Sequence, residues 1–411
     1  MSGMPHWPRA LALSAAATLA FSIGCTDRVT EPNPVRANPR LSPVKAAVVG
    51  DVTASVQWSA VARDFIAAKP AAEKPNQQAA FRVFAYLSLA QYRAVLAAHD
   101  TRGRPPHPSA SGAASAASAV VLGALFSQDA GFFESQLRAQ ETDVRETPGA
   151  TGAFAAGEAV GRSVGMQVVE LARTDGFDAV WTGAPPTGPG FWSSDFDPPR
   201  PPLLPLLGHM RPFFMTSGDQ FRPGPPPVFG SPAYLVALAE IRQFSDTRTA
   251  DQLRIAEFWA MPTVAAFWNE QATTLIARDR LDERRAAHVL ALMHMATMDA
   301  NIACHDAKYT YWLIRPYRAD PAITTPIPRP QHPSYPSNHA CVSGTSAYVL
   351  GGLFPGDADR LAAMADEAGE SRLYAGIHYR FDKDAGLHIA RQVAELALQR
   401  RTQHAELDVM R

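Results

Sequence analysis

Apolar residues recur every three to four positions along most of this chain, which is the pattern of amphipathic and buried α-helices. Ala, Leu, Met, Glu and Arg dominate these segments, and all five favour helix. The pattern predicts helices over 76–98, 113–125, 151–173, 232–243, 250–279, 282–312, 343–353, 357–374 and 384–401. Strand-like alternation of useful length is absent from the sequence. Because the predicted helices are broadly apolar, we expect them to pack on several sides in bundles, giving an all-α fold.

One segment breaks the helical pattern. Residues 185–232 hold 14 of the 35 prolines, and proline removes a backbone donor and clashes with the preceding helical turn. The segment also carries many aromatic side chains: Phe191, Trp192, Phe196, Phe213, Phe214, Phe221 and Phe229. That aromatic content favours an ordered loop that wraps the bundles and partly covers a pocket. The alternative is a disordered linker between domains.

The N-terminal segment has the features of an export signal. Ala10–Ile23 is apolar but too short for a stable membrane span, and Gly24-Cys25 follows it. Ser22-Ile23-Gly24-Cys25 resembles a bacterial lipobox, in which the cysteine is acylated. We therefore expect residues 1–24 to be a signal peptide and Cys25 to carry a lipid, the alternative being an ordinary signal peptide. Either way the protein is expected to be exported, to the periplasm or attached to the outer membrane.

Composition limits the remaining organisation. With 411 residues, 46% of them hydrophobic, the chain can bury a large core. We predict that residues 25–50 form a disordered tether and that residues 51–403 form one helical domain. The catalytic half of this domain is predicted to be residues 282–403. A net charge of −1 implies no bulk attraction to nucleic acid or to an anionic membrane. Membrane contact is thus expected only through a lipid anchor, and the oligomeric state stays open.

The candidate chemistry is concentrated in three short motifs. They are Lys308-x6-Arg315-Pro316, Pro336-Ser337-Asn338-His339 and Ser371-Arg372-x5-His378-x3-Asp382. Three cations, a hydroxyl, two imidazoles and a carboxylate suit the binding of a small oxyanion, with proton or covalent chemistry on it. The spacing of Lys308 and Arg315 predicts that they share one helix face, with Pro316 ending the helix.

These motifs resemble the signature K-x6-R-P, P-S-G-H and S-R-x5-H-x3-D of vanadium-dependent haloperoxidases and the type 2 phosphatidic acid phosphatase (PAP2, acid phosphatase) superfamily. The likeness extends over roughly residues 55–400 and is greatest to bacterial haloperoxidase-like proteins, for example at Phe81–Ala98, Gly188–Trp192 and Gln220–Pro227. The resemblance implies two packed helical bundles. It also implies an enzyme that uses vanadate to oxidise halide with hydrogen peroxide.

The resemblance further implies a role for each motif residue. The equatorial oxygens of vanadate would be held by Lys308, Arg315, Ser337, Asn338 (through its N–H) and Arg372. His378 would bond the vanadium, and His339 would act as acid and base at the apical oxygen. In a phosphatase, which needs no vanadate, His378 would instead attack phosphorus, Asp382 would fix its tautomer, and His339 would protonate the leaving group.

Several residues in or near the motifs affect the predicted roles. Asn338 stands where the signature has glycine, which affects the fit of the oxyanion. His332 and His305 are candidates for tuning peroxide activation, so that bromide or iodide is favoured over chloride; the alternative is that they are core or capping residues. Cys304 and Cys341 flank the motifs, and we expect two buried free thiols, with a disulfide as the alternative.

Three function classes follow for this sequence. The first is a haloperoxidase that acts on hydrogen peroxide and a halide. The second is an exported PAP2-type acid phosphatase that cleaves a phosphate ester through a phosphohistidine. The third is a non-catalytic envelope lipoprotein that retains an anion site. A shared fold and site do not decide between the first two. The halide preference and any organic acceptor are not determined by the motifs.

Overall fold

A computed structural model describes residues 52–101, 107–145, 150–260 and 264–400. The predicted signal peptide 1–24, Cys25 and the tether 25–50 lie outside the described residues. The helices are α1 Ala54–Ala68, α2 Gln77–Asp100, α3 Ala110–Leu125, α4 Ala130–Arg145, α5 Ala150–Arg173, α6 Pro232–Thr247, α7 Ala250–Phe258, α8 Val264–Arg278, α9 Glu283–Tyr311, α10 Pro316–Ala319, α11 Asn338–Leu353, α12 Ala358–Tyr374 and α13 Arg380–Arg400.

The all-α prediction is confirmed. The described ranges contain no β-strand, and an isolated bridge pairs Phe191 with Leu313. No helix in these ranges has both the length and the apolar run that a bilayer crossing requires. The predicted helix 250–279 is divided into α7 and α8, and Pro262 lies between them in the sequence, where a helix would lose a backbone hydrogen bond.

Three helices were not predicted: α10, which has only four residues, and α1 and α4, in which polar residues interrupt the apolar pattern. In α1 a narrow stripe of Trp58, Ala62 and Ile66, four residues apart, is buried against the core. Glu283 at the start of α9 accepts hydrogen bonds from the backbone N–H groups of Ala54 (2.6 Å) and Ser55 (3.0 Å). A carboxylate at a helix N-terminus satisfies free donors, so α1 depends on a contact more than 200 residues away in sequence.

The helices form two bundles that share α9. In the first, α2, α3 and α5 pack on one another, with α4 against α3 and α5. In the second, α11 lies between α12 and α13. Helix α9 has 29 residues, packs on α2 on one side and on α11 and α13 on the other, and is buried along most of its length. Its C-terminal end therefore lies among the elements that carry the other motifs.

The Pro-rich segment is an ordered loop, and the disordered-linker alternative is wrong. The buried carboxylate of Asp299 on α9 accepts the backbone N–H groups of Phe213 (2.7 Å), Phe214 (2.7 Å) and Met215 (2.9 Å). Arg222 makes a bidentate ion pair with Asp306, at 2.6 and 2.8 Å. These bonds fasten the middle of the loop along α9.

The same loop is also fastened to the chain around the motifs. Backbone hydrogen bonds join Trp192 N–H to Trp312 C=O (2.7 Å) and Ile314 N–H to Gly190 C=O (2.8 Å). Tyr335, next to the second motif, donates its hydroxyl to Gly224 C=O at 2.7 Å. The loop therefore covers the segments that enter and leave the motif region.

Candidate active site

Lys308 and Arg315 do not share a helix face. Helix α9 ends at Tyr311, and Trp312 adopts a left-handed conformation (φ 51°) that turns the chain. Arg315 is extended (φ −78°, ψ 150°) and precedes α10, whose first residue is Pro316. Proline is favoured at that first helical position because its missing N–H needs no partner there. The prediction that Pro316 ends the helix was wrong: it begins the next one.

Lys308 is fully buried and holds the chain that leads into α11. Its ammonium group donates to the carbonyls of Pro333 (2.9 Å), Ser334 (2.8 Å) and Pro336 (2.5 Å). An ammonium has three hydrogens, so these bonds use all of them. Burial lowers the pKa of Lys308 to about 8. The first motif is thus fastened to the second through backbone carbonyls.

Arg315 joins the first motif to the third. Its Nη1 donates to Ile377 C=O (2.7 Å) and lies 3.0 Å from Nε2 of His378. Its Nε donates to His332 C=O (3.0 Å), and its Nη2 lies 3.2 Å from Nδ1 of His332. The guanidinium is completely buried, which lowers the pKa of Arg315. Its contacts are with neutral groups, so its charge has no directly bonded carboxylate.

His378 and Asp382 form a hydrogen-bonded pair across the start of α13. Nδ1 of His378 lies 2.7 Å from Oδ2 of Asp382, which also accepts from Ser334 Oγ (2.5 Å) and the Tyr379 N–H (3.1 Å). Because the carboxylate accepts, Nδ1 carries the hydrogen and Nε2 keeps its lone pair. Burial, reinforced by the charges of Arg315 and Lys308, holds the pKa of His378 well below its usual value. The imidazole is therefore neutral, the form that can bond a metal or attack phosphorus.

Ser337 and Asn338 begin α11 and leave polar atoms unpaired. Ser337 occupies the N-cap, but its hydroxyl makes no capping bond and has no protein partner, although it is buried. Asn338 is 3% exposed, and neither its Oδ1 nor its Nδ2 has a partner. Helix α13 approaches closely here: a Cβ on Gly386 would lie 2.7 Å from Ser337 C=O. Three buried polar atoms without protein partners therefore lie side by side.

His339 and Arg372 both bind the C-terminal end of α7. His339 Nε2 donates to Trp259 C=O (2.9 Å), and Arg372 Nη2 donates to Ala256 C=O (2.8 Å). Arg372 Nε also reaches Ser371 Oγ at 2.8 Å. Arg372 is 1% exposed and burial lowers its pKa to about 9, whereas His339 is partly exposed. Among the motif side chains, His339 thus lies nearest to solvent.

Sequence reasoning missed the contributions of Ser334, Ala256 and Trp259. Ser334 lies outside the motifs, and its hydroxyl bond to Asp382 gave no signal in the sequence. Ala256 and Trp259 act through backbone carbonyls, which every residue has. A pattern of side chains cannot reveal such partners.

His332 and His305 lie next to each other, and His332 contacts Arg315. The ring centroids of the two histidines are 5.9 Å apart. His305 Nδ1 lies 2.9 Å from Asn301 C=O, so it donates there, and Nε2 has no protein partner. Burial lowers the pKa of His305 to about 3. His332 therefore touches the motif set, and His305 reaches it through His332.

Cys304 and Cys341 are both buried and are free thiols. The Cys304 thiol points to Pro336 C=O at 3.7 Å, the same carbonyl that Lys308 binds. This agrees with the prediction of two buried thiols. The disulfide alternative is not the bonding seen here.

The charge balance of this cluster indicates an anion site. Lys308, Arg315 and Arg372 are buried cations, and Asp382 is the buried carboxylate bonded among these motifs. A buried charge without a counter-ion is costly, and an oxyanion would supply both negative charge and acceptors for the unpaired Ser337 hydroxyl. No group of three or more His, Cys, Asp or Glu residues in the described ranges could hold a metal cation. Vanadate and phosphate, whose surface is oxygen, fit these donors.

Comparison with known proteins shows which family model and which solved structures this chain resembles. The family model of the VCPO second helical-bundle domain matches residues 357–406, which contain Arg372, His378 and Asp382. The fold matches a bacterial vanadium-dependent iodoperoxidase with a TM-score of 0.71 and 23% identity, over 85% of this chain and 97% of that one. The chain therefore has the fold of these haloperoxidases, and its residues 357–406 match the VCPO second helical-bundle domain.

Further similar proteins show the extent of the likeness. A bacterial vanadium-dependent chloroperoxidase matches in its apo form (TM-score 0.66, 15% identity, 84% of this chain and 98% of that one). A holo form matches with TM-score 0.65, 15% identity, and 90% and 95% coverage. A non-specific acid phosphatase of Providencia stuartii is 31% identical over 116 residues, 27% of this chain. That match spans about half (46%) of the phosphatase.

Proposed function

We propose that this protein is a vanadate-dependent haloperoxidase that oxidises bromide or iodide with hydrogen peroxide. The observation that carries the proposal is a set of buried cations: Lys308 and Arg315 act on a neutral His378, and the charges of Arg372, Lys308 and Arg315 all act on His339. Its cations and unpaired donors match an oxyanion, and the unprotonated Nε2 of His378, which accepts from Arg315, matches a bond to vanadium once that hydrogen bond is exchanged. Vanadate, when bound, supplies a Lewis acid that activates peroxide for two-electron oxidation of a halide.

The residues would divide the work as follows. Arg372, Arg315 and the Ser337 hydroxyl would bind equatorial oxygens, and Asp382 would keep the hydrogen of His378 on Nδ1. Arg315 lies 3.0 Å from Nε2, so anion binding would exchange that hydrogen bond for one to the anion. His339, partly exposed and next to Asn338, would move a proton between the site and solvent.

Lys308 has a second role in this proposal. Its ammonium hydrogens are all used by carbonyls of residues 333–336. It would therefore contribute its charge to the anion at short range and hold the backbone of the second motif in place. Contact with an oxygen of the anion would require one of these carbonyl bonds to be exchanged.

The extent of the likeness supports peroxidase over phosphatase. The three haloperoxidase structures each cover at least 84% of this chain, whereas the phosphatase match covers 27%. The preference for bromide or iodide is supported by the iodoperoxidase match and by His332, which contacts Arg315. Hydrogen peroxide and the halide would be the small-molecule substrates.

The second candidate is a PAP2-type acid phosphatase. The observation that favours it is the His378–Asp382 pair, which leaves Nε2 unprotonated and able to attack phosphorus and form a phosphohistidine once Arg315 exchanges its bond to Nε2 for one to the anion. His339 would then protonate the leaving group of the phosphate ester. No vanadate would be needed, because phosphate would occupy the same cationic cluster.

A direct assay of the purified protein separates the two candidates. Bromide and iodide oxidation by hydrogen peroxide is measured with and without orthovanadate, beside hydrolysis of p-nitrophenyl phosphate. We expect vanadate-dependent halide oxidation, lost in His378→Ala and retained in His388→Ala, which removes an exposed histidine of α13. Phosphatase activity that vanadate inhibits, without halide oxidation, would overturn the proposal in favour of the second candidate.

We also propose that the protein is exported as a lipoprotein. The support is the apolar segment followed by Gly24-Cys25. Mass spectrometry of the mature protein is expected to show an acylated N-terminus at Cys25, which Cys25→Ala would abolish. A mature protein that starts elsewhere and lacks lipid would contradict this.

A further inference from the structure

The side chain of Asn338 is a buried amide that the protein leaves unpaired at both ends. It is 3% exposed, and neither Oδ1 nor Nδ2 has a hydrogen-bond partner. Most buried side-chain polar atoms in folded proteins are hydrogen-bonded, and each exception calls for an explanation. Asn269, a buried asparagine of α8, shows the ordinary case: its Oδ1 accepts from Arg63, and its Nδ2 lies 2.7 Å from His294 Nε2.

The position of Asn338 connects this amide to the anion site. It is the first residue of α11, directly after Ser337, whose hydroxyl is also buried and unpaired. Ser337 N–H donates to Asp382 C=O at 2.9 Å, and Lys308 binds the carbonyl of Pro336. Asn338 therefore directly follows residues that are bonded to Lys308 and Asp382, and its amide is buried at that end of α11. The N-terminus of a helix adds free backbone donors at this point.

The two unpaired ends of the amide require different partners. Nδ2 is a donor and needs an acceptor, whereas Oδ1 accepts and needs a hydrogen. A fully deprotonated anion such as sulfate offers acceptors alone. Vanadate and phosphate near neutral pH carry at least one hydroxyl, so they offer both. The cations around the site have no such requirement, because they only donate.

We infer that the side chain of Asn338 binds the oxyanion directly and selects anions that carry a hydroxyl. Nδ2 donates to one oxygen of the anion, and Oδ1 accepts from its O–H group. The resemblance to PSGH proteins implies only a backbone N–H at this position, because glycine has no side chain. This inference rests on the proposed function, since it concerns the same anion site. Selection at Asn338 adds to the charge attraction of the three cations.

Anion affinity, measured without peroxide or halide, tests this inference. Isothermal titration calorimetry of the full protein at pH 7 would give dissociation constants for orthovanadate, phosphate and sulfate. We expect the wild type to bind phosphate at least about tenfold more tightly than sulfate, one well-placed hydrogen bond being worth about that factor. In Asn338→Ala, the affinity for vanadate and phosphate is expected to fall about tenfold. The affinity for sulfate should change little, because the loss of the Nδ2 hydrogen bond is offset by removal of Oδ1, which repels the oxygens of sulfate.

Two further variants test for indirect effects. Asn338→Asp keeps the acceptor and adds a negative charge, so it is expected to weaken all three anions by more than Asn338→Ala. Asn269→Ala, the matched control, removes an asparagine that is paired within the protein. It is expected to lower the melting temperature and to leave the phosphate-to-sulfate ratio unchanged. The melting temperature of ligand-free Asn338→Ala should not fall, because the amide has no protein partner to lose.

The outcomes separate this inference from the proposed function. A wild type that binds neither vanadate nor phosphate would overturn the anion site and both proposals with it. A wild type that binds both, together with an Asn338→Ala variant of unchanged affinity and unchanged ratio, would overturn the role of Asn338 alone. An Asn338→Ala variant that loses vanadate, phosphate and sulfate equally would also overturn the selection for a hydroxyl.

Discussion

Two groups of buried charged side chains lie along helix α9. They differ in whether the protein itself completes their hydrogen bonds. In the middle of the helix, Asp299 is fully buried, and three backbone N–H groups of the Pro-rich loop satisfy its carboxylate. Near the C-terminal end of the helix, Lys308 joins Arg315 and Arg372, and unpaired polar atoms of Ser337 and Asn338 lie beside them. The first group is complete within the protein, whereas the second is incomplete.

This difference separates a structural charge from a binding site. A buried charge whose hydrogen bonds are complete fastens the elements that supply them, and removing it leaves those partners unpaired. A cluster with excess charge and unpaired donors gains most when a ligand of opposite charge enters. Burial alone does not distinguish the two cases, since Asp299 and Arg315 are both 0% exposed.

The largest expected effect is a loss of stability when Asp299, whose hydrogen bonds are complete within the protein, is removed. Asp299→Ala leaves three buried N–H groups without an acceptor, so the free energy of unfolding should fall by about 3 kcal/mol or more. Urea unfolding measures this, and limited proteolysis within residues 185–231 should become faster. The control Glu395→Ala removes an exposed carboxylate of α13 and should change stability by less than about 0.5 kcal/mol. Equal stabilities of the two variants would remove Asp299 as the anchor of the loop.

In the cationic cluster, whose hydrogen bonds are incomplete, Arg372→Ala should lower the affinity for vanadate and leave the free energy of unfolding nearly unchanged. Loss of a charge-assisted contact costs about 1.5–3 kcal/mol, so vanadate affinity should fall about 10- to 150-fold. The free energy of unfolding should change by less than about 1 kcal/mol, because a buried cation without a bonded carboxylate is removed. Calorimetry and urea unfolding provide the two readouts, with Arg285→Ala at a 74% exposed side chain as the control. Unchanged vanadate affinity would exclude Arg372 from the site.

Lys308 combines the two cases: its hydrogen bonds are complete, like those of Asp299, and it is one of the buried cations of the proposed anion site. Lys308→Met should therefore lower the free energy of unfolding by about 2 kcal/mol and also weaken vanadate binding about tenfold. Both are measured on one preparation, by urea unfolding and by calorimetry. If Lys308→Met binds vanadate more weakly but unfolds with the same free energy as the wild type, the three carbonyl hydrogen bonds do not stabilise the fold.

The smallest expected effect concerns His294, a satisfied imidazole in the first part of α9. It stacks on Phe84 at 5.1 Å and lies 2.7 Å from Asn269 Nδ2, and burial lowers its pKa to about 3. Below the unfolded-state pKa of about 6.5, the unfolded chain binds a proton that the folded protein does not, so acid destabilises the fold down to about pH 3. The wild type should lose about 1 kcal/mol more than His294→Gln between pH 7 and 5.5. Parallel acid titrations of stability in the two proteins would contradict this.

Much of the fold and the site could be predicted because they depend on local pattern and residue type. The period of apolar residues located most of the helices, and the Pro-rich composition excluded helix from residues 185–231. Arg315, Arg372 and His378 were candidates as a group because their motifs resemble a known signature, and the structure buries all three. The contact of His378 with Asp382 followed from their spacing of four residues.

The sequence by itself therefore determined the helical class and the ordered loop, and it supplied the candidate residues of the site. The tertiary structure decided which polar groups are satisfied: the ammonium of Lys308 by three carbonyls, and the amide of Asn338 by none. It also decided that Arg372 and His339 bind the end of α7. The physical reason is that hydrogen-bond satisfaction depends on backbone atoms brought together from distant parts of the chain. Those atoms are chemically the same in every residue, so only the packing of the helices gives them their roles.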